Sequence, residues 1–475
     1  MYRRTRIVAT LGPATDRPGV LEAMLQVGVD VVRVNFSHGA AEEHIRRVAA
    51  LRGTAATLGK SVAVLGDLPG PKLRVRLDQV LTLSVGQELA FSRSPSVPGD
   101  VSLTEPELLA DVRPGQRILL DDGRLQLRAV RMEGHQVIAR VEAGGLLLPN
   151  KGANLPDTQL CVPALTERDH EALAVAARAG VDWLALSFVR DAAAAAALRE
   201  AARTHGLNVP ILAKIERPEA VQLSSRIIRE FDGLMVARGD LGVEIPLERV
   251  PHVQKKLIAQ ARAAGKPVIT ATDMLDSMRH NPRPTRAEAS DVANAIYDGT
   301  DAVMLSGETA VGDYPVEAVA CMDRIAREAE RHLEHTSYAP VRISLPQIDD
   351  HVTQAACVLA AELGVNAILV PSISGRTARL VARHRPRAQV VALSENAEVR
   401  RQWSLIWGLC AAPLLESPDC AEDRLQAAAR SAFAAGVVQP HDLAIVLADH
   451  PFEETARFPT VRVIRIGEGG FARAP

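Results

Sequence analysis

Eight short apolar runs, separated by stretches of helical period, constrain this chain more than any other feature of it. They are 6–11 (RIVATL), 29–35 (VDVVRVN), 61–67 (SVAVLGD), 183–189 (WLALSFV), 210–216 (PILAKIE), 233–238 (GLMVAR), 267–272 (PVITAT) and 302–307 (AVMLSG). Amphipathic or alanine-rich helices are read between most of them, at 19–27, 40–58, 167–179, 191–204, 247–264 and 285–297. Runs this short and this continuously apolar are strands covered on both faces, and strand–helix alternation makes the sheet parallel. Eight such units predict an α/β chain built on a (β/α)8 TIM barrel, with a doubly wound open sheet as the alternative.

The alternation breaks once, after the third strand. Residues 72–160 hold short segments of alternating polarity (VLTLSV, RILLDDG, LQLRAV, HQVIARV) joined by turn residues, which reads as an inserted all-β lid. PGP at 69–71 and NLPDTQLCVP at 154–163 are stiff hinges on its two sides. After about residue 338 the strands AILVPS, QVVALS, DLAIVLA and VRVIRI alternate with helices at 351–363, 376–384 and 421–436, a separate C-terminal α/β domain. The predicted division is 1–71 and 161–337 for the barrel, 72–160 for the lid and 338–475 for the C-terminal domain.

Charge and cysteine usage narrow the function classes. With 55 Lys and Arg against 57 Asp and Glu, the net charge of −2 gives no global attraction to nucleic acid or acidic membranes. No apolar run is long enough to span a bilayer, and the early strand leaves no room for a signal peptide. Cys161, Cys321, Cys357, Cys410 and Cys420 are scattered without metal-type spacing, as expected of reduced thiols in a cytoplasmic protein. Lysine is confined to Lys60, Lys72, Lys151, Lys214, Lys255, Lys256 and Lys266; arginine supplies every other basic side chain. A lysine kept in such a chain marks a place where a compact charge matters, an argument weakest for Lys255 and Lys256 on an exposed helix face.

The chemistry-bearing stretches lie at strand ends. In LAKIERPEA (212–220), Lys214 and Glu216 interrupt a buried strand two residues apart, so both emerge on one side at its C-terminal mouth. The pair is either a site or an ion pair plugging the barrel core. RVNFSHG (33–39) sets Arg33, Asn35 and Ser37 at alternate positions, suited to a phosphate and a cation, or else a polar strand end with Ser37 capping a helix. GDLPGPKLR (66–74) supplies Asp67, Lys72 and Arg74 at the lid entrance, the last two being active or solvated hinge charges. MVARGDLGVEIP (235–246) carries Asp240, which with Glu216 can hold one Mg²⁺, or else caps the next helix. VITATDM (268–274) points Thr270 and Thr272 to one side, and MLSGET (304–309) does the same with Ser306 and Glu308. In the lid, DDG at 121–123 is a hairpin turn and Lys151 is placed to reach a nucleotide phosphate. SISGRT (372–377) follows a strand and opens a helix, which suits a phosphate and suits an ordinary N-cap equally.

RVNFSHG, GDLPGPKLR, LAKIERPEA, VARGDLGVEIP and NPRPTRAEASDVANAIYDGTDAVMLSGETAVGDYP, in that order, resemble the pyruvate kinase family over essentially the whole chain. The resemblance implies phosphoryl transfer from phosphoenolpyruvate to ADP, with Mg²⁺ (or Mn²⁺) as cofactor. It implies Lys214 at the transferring phosphoryl group, Glu216 and Asp240 on the metal, and Arg33 on the substrate phosphate. It further implies Gly239, Asp240 and Thr272 on the substrate carboxylate, Arg74 and Lys151 on the nucleotide, and a homotetramer. Asn35, Ser37 and Asp67 match a monovalent-cation pocket whose fourth oxygen is replaced by Leu68. Lys72, where K⁺-dependent members carry Glu, implies that its ammonium substitutes for K⁺, so that K⁺ is not required. Pro69 and Asp273 depart from the family's usual TKGPE and TQM wording. SISGRT resembles an effector-phosphate pocket formed by Ser372, Ser374, Arg376 and Thr377, and the acidic loop read at 449–458 favours a monophosphate over a bisphosphate. Two other classes compete: a Mg²⁺-dependent carbon–carbon lyase, which lacks the lid and RVNFSHG, and a non-catalytic metabolite sensor, which has no need of the full charged set.

Overall fold

The computed structural model describes residues 3–93, 101–159, 162–333, 341, 347–415, 421–453 and 456–475, with the backbone alone for 421–422, 448–453 and 456–459. Eight parallel strands form a closed barrel: Arg6–Thr10, Val31–Asn35, Ala63–Leu68, Trp183–Leu186, Ile211–Ile215, Gly233–Ala237, Val268–Ala271 and Ala302–Leu305. The last pairs with the first in the register Arg6↔Ala302 to Ala9↔Leu305, which excludes the open doubly wound sheet. Helices begin and end where local chemistry dictates. At Glu167–Ala179 the Thr166 hydroxyl accepts the Asp169 N–H (3.3 Å), Asp169 accepts the Thr166 N–H (2.7 Å), and Gly180 stops the helix at φ +70°.

Strand alternation splits each barrel strand between two environments. Ile7, Val32, Val64, Leu184, Ala213, Val236 and Val303 face the helices. Val8, Val31, Leu65, Ala185, Leu212, Met235, Ile269 and Met304 fill the interior as one apolar cluster. Two residues further along the same strands the inward positions are Thr10, Arg33, Asp67, Ser187, Lys214, Ala237, Ala271 and Ser306. Six of these eight are polar or charged, and this layer forms the barrel mouth. The opposite end is stoppered by the C-terminal domain. Leu405, fully buried, belongs to the interior cluster, and its flanks are tied down around it. Trp183 Nε1 donates to Gln402 O (3.0 Å), Arg401 pairs with Asp182 (2.8 Å) and Ser404 Oγ donates to Ser61 O (3.1 Å).

The insertion folds as an all-β lid, with a five-stranded antiparallel sheet and two small ladders around its own apolar core. DDG is the expected hairpin turn, with Asp121, Asp122 and Gly123 all at positive φ between the strands Arg117–Leu120 and Leu125–Glu133. The C-terminal sheet is six-stranded, and the strands Leu409–Pro413 and Ala472–Arg473 add to the four read from sequence. One reading is corrected here. The acidic segment 449–458 is strand rather than loop, because Leu443–Glu453 and Ala456–Ile466 pair antiparallel as far as Glu453↔Ala456; residues 454–455 lie outside the described ones. Cys321, Cys357 and Cys410 are free thiols, while Cys161 and Cys420 lie outside the described residues. Among the described residues no helix is long and apolar enough to cross a membrane.

Candidate active site

The mouth is organised by Lys214. Its ammonium donates to Ser187 Oγ (2.7 Å) and stands 2.9 Å from Glu216 Oε1 and 3.3 Å from Asp67 Oδ1. Burial alone would lower its pKa; Asp67 and then Glu216 outweigh that and raise it, so Lys214 stays a cation across the working pH range. Asp67 is shared. Its other oxygen accepts Arg33 Nε at 2.6 Å, and Arg33 also donates to Thr10 Oγ1 (3.3 Å). Burial pushes the Asp67 carboxyl up, but Lys214 and Arg33 together hold it below the ordinary carboxylate range. Ser187, which the sequence reading passed over, also donates to Leu68 O (2.7 Å) and so fastens two neighbouring strand ends together under the ammonium. A lone serine closing an apolar strand carries no signature beyond its place in the inward alternation.

Glu216 and Asp240 occupy the side of the mouth next to Lys214. Glu216 Oε2 accepts the N–H of Phe188 at 2.6 Å, and Phe188 is held at φ +56° to present it. The other oxygen, Oε1, is buried and lies 2.9 Å from the Lys214 ammonium. Burial pushes the Glu216 pKa up more than Lys214 pulls it down, and the Asp240 carboxylate adds to the rise. Asp240 is not an N-cap. It lies in the first turn of the helix Arg238–Glu244, whose cap position is Ala237, and its Oδ1 meets Lys72 Nζ at 3.2 Å. A buried carboxylate beside a second, part-exposed carboxylate is a donor set that fits Mg²⁺, which takes one or two carboxylates and leaves its other positions to water and substrate.

Two alternation-based placements are corrected at strand ends. Ser37 lies in the turn after Val31–Asn35, where its N–H donates to Asn35 Oδ1 (3.1 Å), so it does not share a strand face with Arg33. Nor does it cap the next helix, whose N-cap is Ala40. Thr272 follows Val268–Ala271 at φ +69°, a conformation rare for a β-branched residue, so it does not point with Thr270. Thr270 instead donates to Thr300 Oγ1 (3.0 Å) inside the barrel wall. The Thr272 turn is held by Arg238, which donates to Ala271 O (3.2 Å) and Thr272 O (2.7 Å) while paired with Asp291 (2.7 Å). Thr272 Oγ1 accepts the Gly239 N–H at 2.6 Å, so two groups expected on the substrate carboxylate are bonded to each other. Glu308 serves the backbone, accepting Ser306 N (2.7 Å) and Leu275 N (3.1 Å), whereas Ser306 Oγ has no hydrogen-bond partner among the described residues.

The lid brings its cations to one edge. Val75 N donates to Lys151 O (2.8 Å) and Arg74 bridges Gly152, so Lys72, Arg74 and Lys151 lie on one short ladder at the lid root. Arg74 donates to Asn150 O (3.0 Å) and Lys151 pairs with Asp121 (2.7 Å). The lid is seated through a buried network that sequence gave no sign of: Asn154 donates to Glu244 Oε1 (2.7 Å), and Glu244 pairs with Arg217 (3.2 Å).

Comparison with known proteins decides the family. Residues 2–319 match the family model described as "Pyruvate kinase, barrel domain", and 350–464 match "Pyruvate kinase, alpha/beta domain". The chain belongs to the pyruvate kinase family. It is 44% identical to a pyruvate kinase of Geobacillus stearothermophilus over 98% of this chain and 80% of the relative. It is 41% identical to that of Methylorubrum extorquens over 95% of both chains. Members of the pyruvate kinase family are glycolytic phosphotransferases that convert phosphoenolpyruvate and ADP into pyruvate and ATP, and they generally use Mg²⁺.

The cradle that resembles the effector pocket of pyruvate kinases differs from expectation in one side chain. Ser372 Oγ accepts the Gly375 N–H (2.9 Å) and Ser374 Oγ lies 3.4 Å from the Arg376 N–H. Arg376, however, is turned toward Asp349 (2.9 Å) and Gln347 (3.0 Å), because these acidic and amide groups at the start of the preceding helix, Ile348–Glu362, satisfy its guanidinium. Gly375, at φ +74°, leaves no space for a side chain, since the Trp403 indole packs against its Cα.

Acid sensitivity follows from Asp67. Its folded-state pKa lies below the unfolded value of about 3.9, so its stabilisation is present above that pH and lost as pH falls through the folded value. In urea melts Asp67→Asn is expected to be several kcal/mol less stable than the parent at pH 7, leaving Lys214 and Arg33 uncompensated. The gap is expected to narrow as pH drops below about 4. A gap independent of pH would show that Asp67 is not the anion these cations need.

Proposed function

We propose that the barrel mouth is the phosphoryl-transfer site and that Lys214 stabilises the charge on the transferring group. The observation that carries this is the fixed ammonium between Asp67, Glu216 and Ser187, aimed from the innermost polar layer. Arg33, locked by Asp67 and Thr10, binds the substrate phosphate; Gly239, Asp240 and Thr272 orient the carboxylate once the Thr272–Gly239 bond opens. Glu216 and Asp240 would hold the Mg²⁺, which would supply positive charge to the bound substrate. Arg74 and Lys151, on the lid ladder, neutralise the nucleotide phosphates, and the lid excludes the water that would otherwise take the phosphoryl group. Transfer of this kind demands positioning and charge compensation more than covalent help from the protein, and these residues provide both. The test is coupled detection of pyruvate formed from phosphoenolpyruvate and ADP. Lys214→Met is expected to lower kcat by about 10²-fold or more with a much smaller change in phosphoenolpyruvate KM. Weakened binding with turnover intact would remove Lys214 from this role.

We propose further that the enzyme works without K⁺. Both Asp67 oxygens are engaged by Arg33 and Lys214, and the Leu68 side chain is fully buried in the apolar shell. Lys72 stands on Asp240 rather than among Asn35, Ser37 and Asp67. Its charge still reaches across the mouth: burial lowers the pKa of His38 first, and Arg74, Lys72 and Arg33 lower it further. The fixed ammonium thus replaces the monovalent cation as a neighbour of the same anionic pocket rather than as its occupant. Full activity is expected in Mg²⁺ buffers free of K⁺ and NH₄⁺, with a K⁺ requirement appearing in Lys72→Glu combined with Leu68→Thr. Strong activation of the parent by K⁺ at constant ionic strength would be the contrary result.

The C-terminal cradle is proposed to take a phosphate monoester through Ser372, Ser374 and Thr377, with Arg376 swinging from Asp349 to join them. Ser374→Asp should abolish the response of activity to sugar phosphates and nucleotides; an unchanged response would place regulation elsewhere. A cytoplasmic homotetramer completes the proposal, to be checked by light scattering against the 51.0 kDa chain mass.

A further inference from the structure

The strand Val268–Ala271 ends in a turn that no local preference explains. Thr272 and Asp273 follow one another at φ +69° and +54°, a left-handed pair with no glycine in it. The β-carbon of each crowds the backbone there, so such a turn persists only where its surroundings force it. The forcing groups stand at its two ends. Arg238 takes the leading carbonyls, Ala271 O at 3.2 Å and Thr272 O at 2.7 Å. At the trailing end Met274 and Leu275 are fully buried, and the Leu275 N–H donates to Glu308 Oε1 at 3.1 Å. A cation on the carbonyls and an anion on the N–H thus hold the turn from opposite sides.

Glu308 also reaches the next strand. Its Oε2 accepts the Ser306 N–H at 2.7 Å, so one carboxylate spans the ends of the paired strands Val268–Ala271 and Ala302–Leu305. Ser306 belongs to the polar layer of the mouth, and its separation from the Thr272 turn is therefore set by a single side chain. That side chain is itself fixed. It is 2% exposed, and its neighbour Thr309 donates to Thr10 O (3.0 Å) and accepts the Thr10 N–H (2.9 Å), which ties it to the first strand. Burial pushes the Glu308 carboxyl up, and backbone N–H groups, its own and those of Leu275 and Ser306, act against that rise. Two donors on two different oxygens call for a carboxylate. Gln, of the same size, would set an NH₂ group against one of them and release one strand end.

We infer that Glu308 is a positioning residue for the reaction at the mouth, holding the Thr272 turn in its left-handed form and at a fixed distance from Ser306. The inference rests on the reading that Thr272 orients the substrate carboxylate. Glu308 touches no substrate in this role; it acts through the backbone of the two strand ends it joins.

Steady-state kinetics on the full chain, with hydrogen exchange followed peptide by peptide, test the assignment. Glu308→Gln is expected to lower kcat/KM for phosphoenolpyruvate by about tenfold or more, while KM for ADP stays within about twofold of the parent. Peptides spanning 272–276 or 304–308 should exchange faster than in the parent, with exchange elsewhere unchanged. Should Glu308→Gln not fold, Glu308→Asp decides, since it keeps the charge but is one methylene short of both donors. A loss of kcat in proportion to the unfolded fraction, or an equal rise in KM for both substrates, would mark a merely structural carboxylate and overturn the assignment. Thr272→Val, which removes the hydroxyl at nearly constant shape, separates this from failure of the Thr272 reading. A parent-like phosphoenolpyruvate KM in Thr272→Val overturns that reading and the inference with it. A raised KM there, with parent-like values in Glu308→Gln, overturns the role of Glu308 alone.

Discussion

An ammonium enclosed by a barrel wall survives only with anions beside it, and the compensation of Lys214 is the constraint from which the rest of the mouth follows. Asp67 and Glu216 arrive from the third strand and from the lysine's own strand, and Ser187 from the strand between them. Arg33 then needs a share of Asp67, which draws the second strand into the same network. Four strand ends are thus tied together by charge at the level where hydrophobic packing stops. The arrangement buries Glu216 against the lysine, with Oε1 2.9 Å from the ammonium.

Much of this was legible because strand alternation is a strict rule inside a barrel. Knowing that Leu212 is inward makes Lys214 inward, and the same step places Arg33 and Asp67. The rule lapses where the strand does. Ser37 and Thr272 each lie one or two residues beyond a strand end, where turn geometry rather than pleat sets direction, and both were misplaced. The ion pair of Arg376 was hidden for another reason. Its nearest anion, Asp349, is 27 residues away in sequence and adjacent only after the helices dock. Ser187 and the Arg217–Glu244 pair belong to this second kind, being ordinary residue types whose meaning comes from distant partners.

The lid illustrates how a hinge is made from both kinds of information. Its flanking prolines are visible as stiff, extended segments, and Asn154 lies within one of them. What gives the hinge an orientation is the hydrogen bond from Asn154 to a carboxylate already bound to Arg217, both deep in the barrel rim. Lys72 adds a second, more exposed tie from lid to barrel by meeting Asp240. Opening the lid therefore exposes a carboxylate on the barrel and frees a cation on the lid in one motion.

Leu405 has a consequence for how such a chain can be cut or recombined. The C-terminal domain looks like a detachable cassette, with its own sheet and its own apolar clusters. Yet one of its leucines is a component of the barrel's interior, packed with residues contributed by all eight strands. A chain ending after the barrel would have an open drain in its floor, with Trp183 short of an acceptor and Asp182 short of one of its two arginines. A C-terminal domain taken from a relative would have to supply this leucine as well as a matching surface.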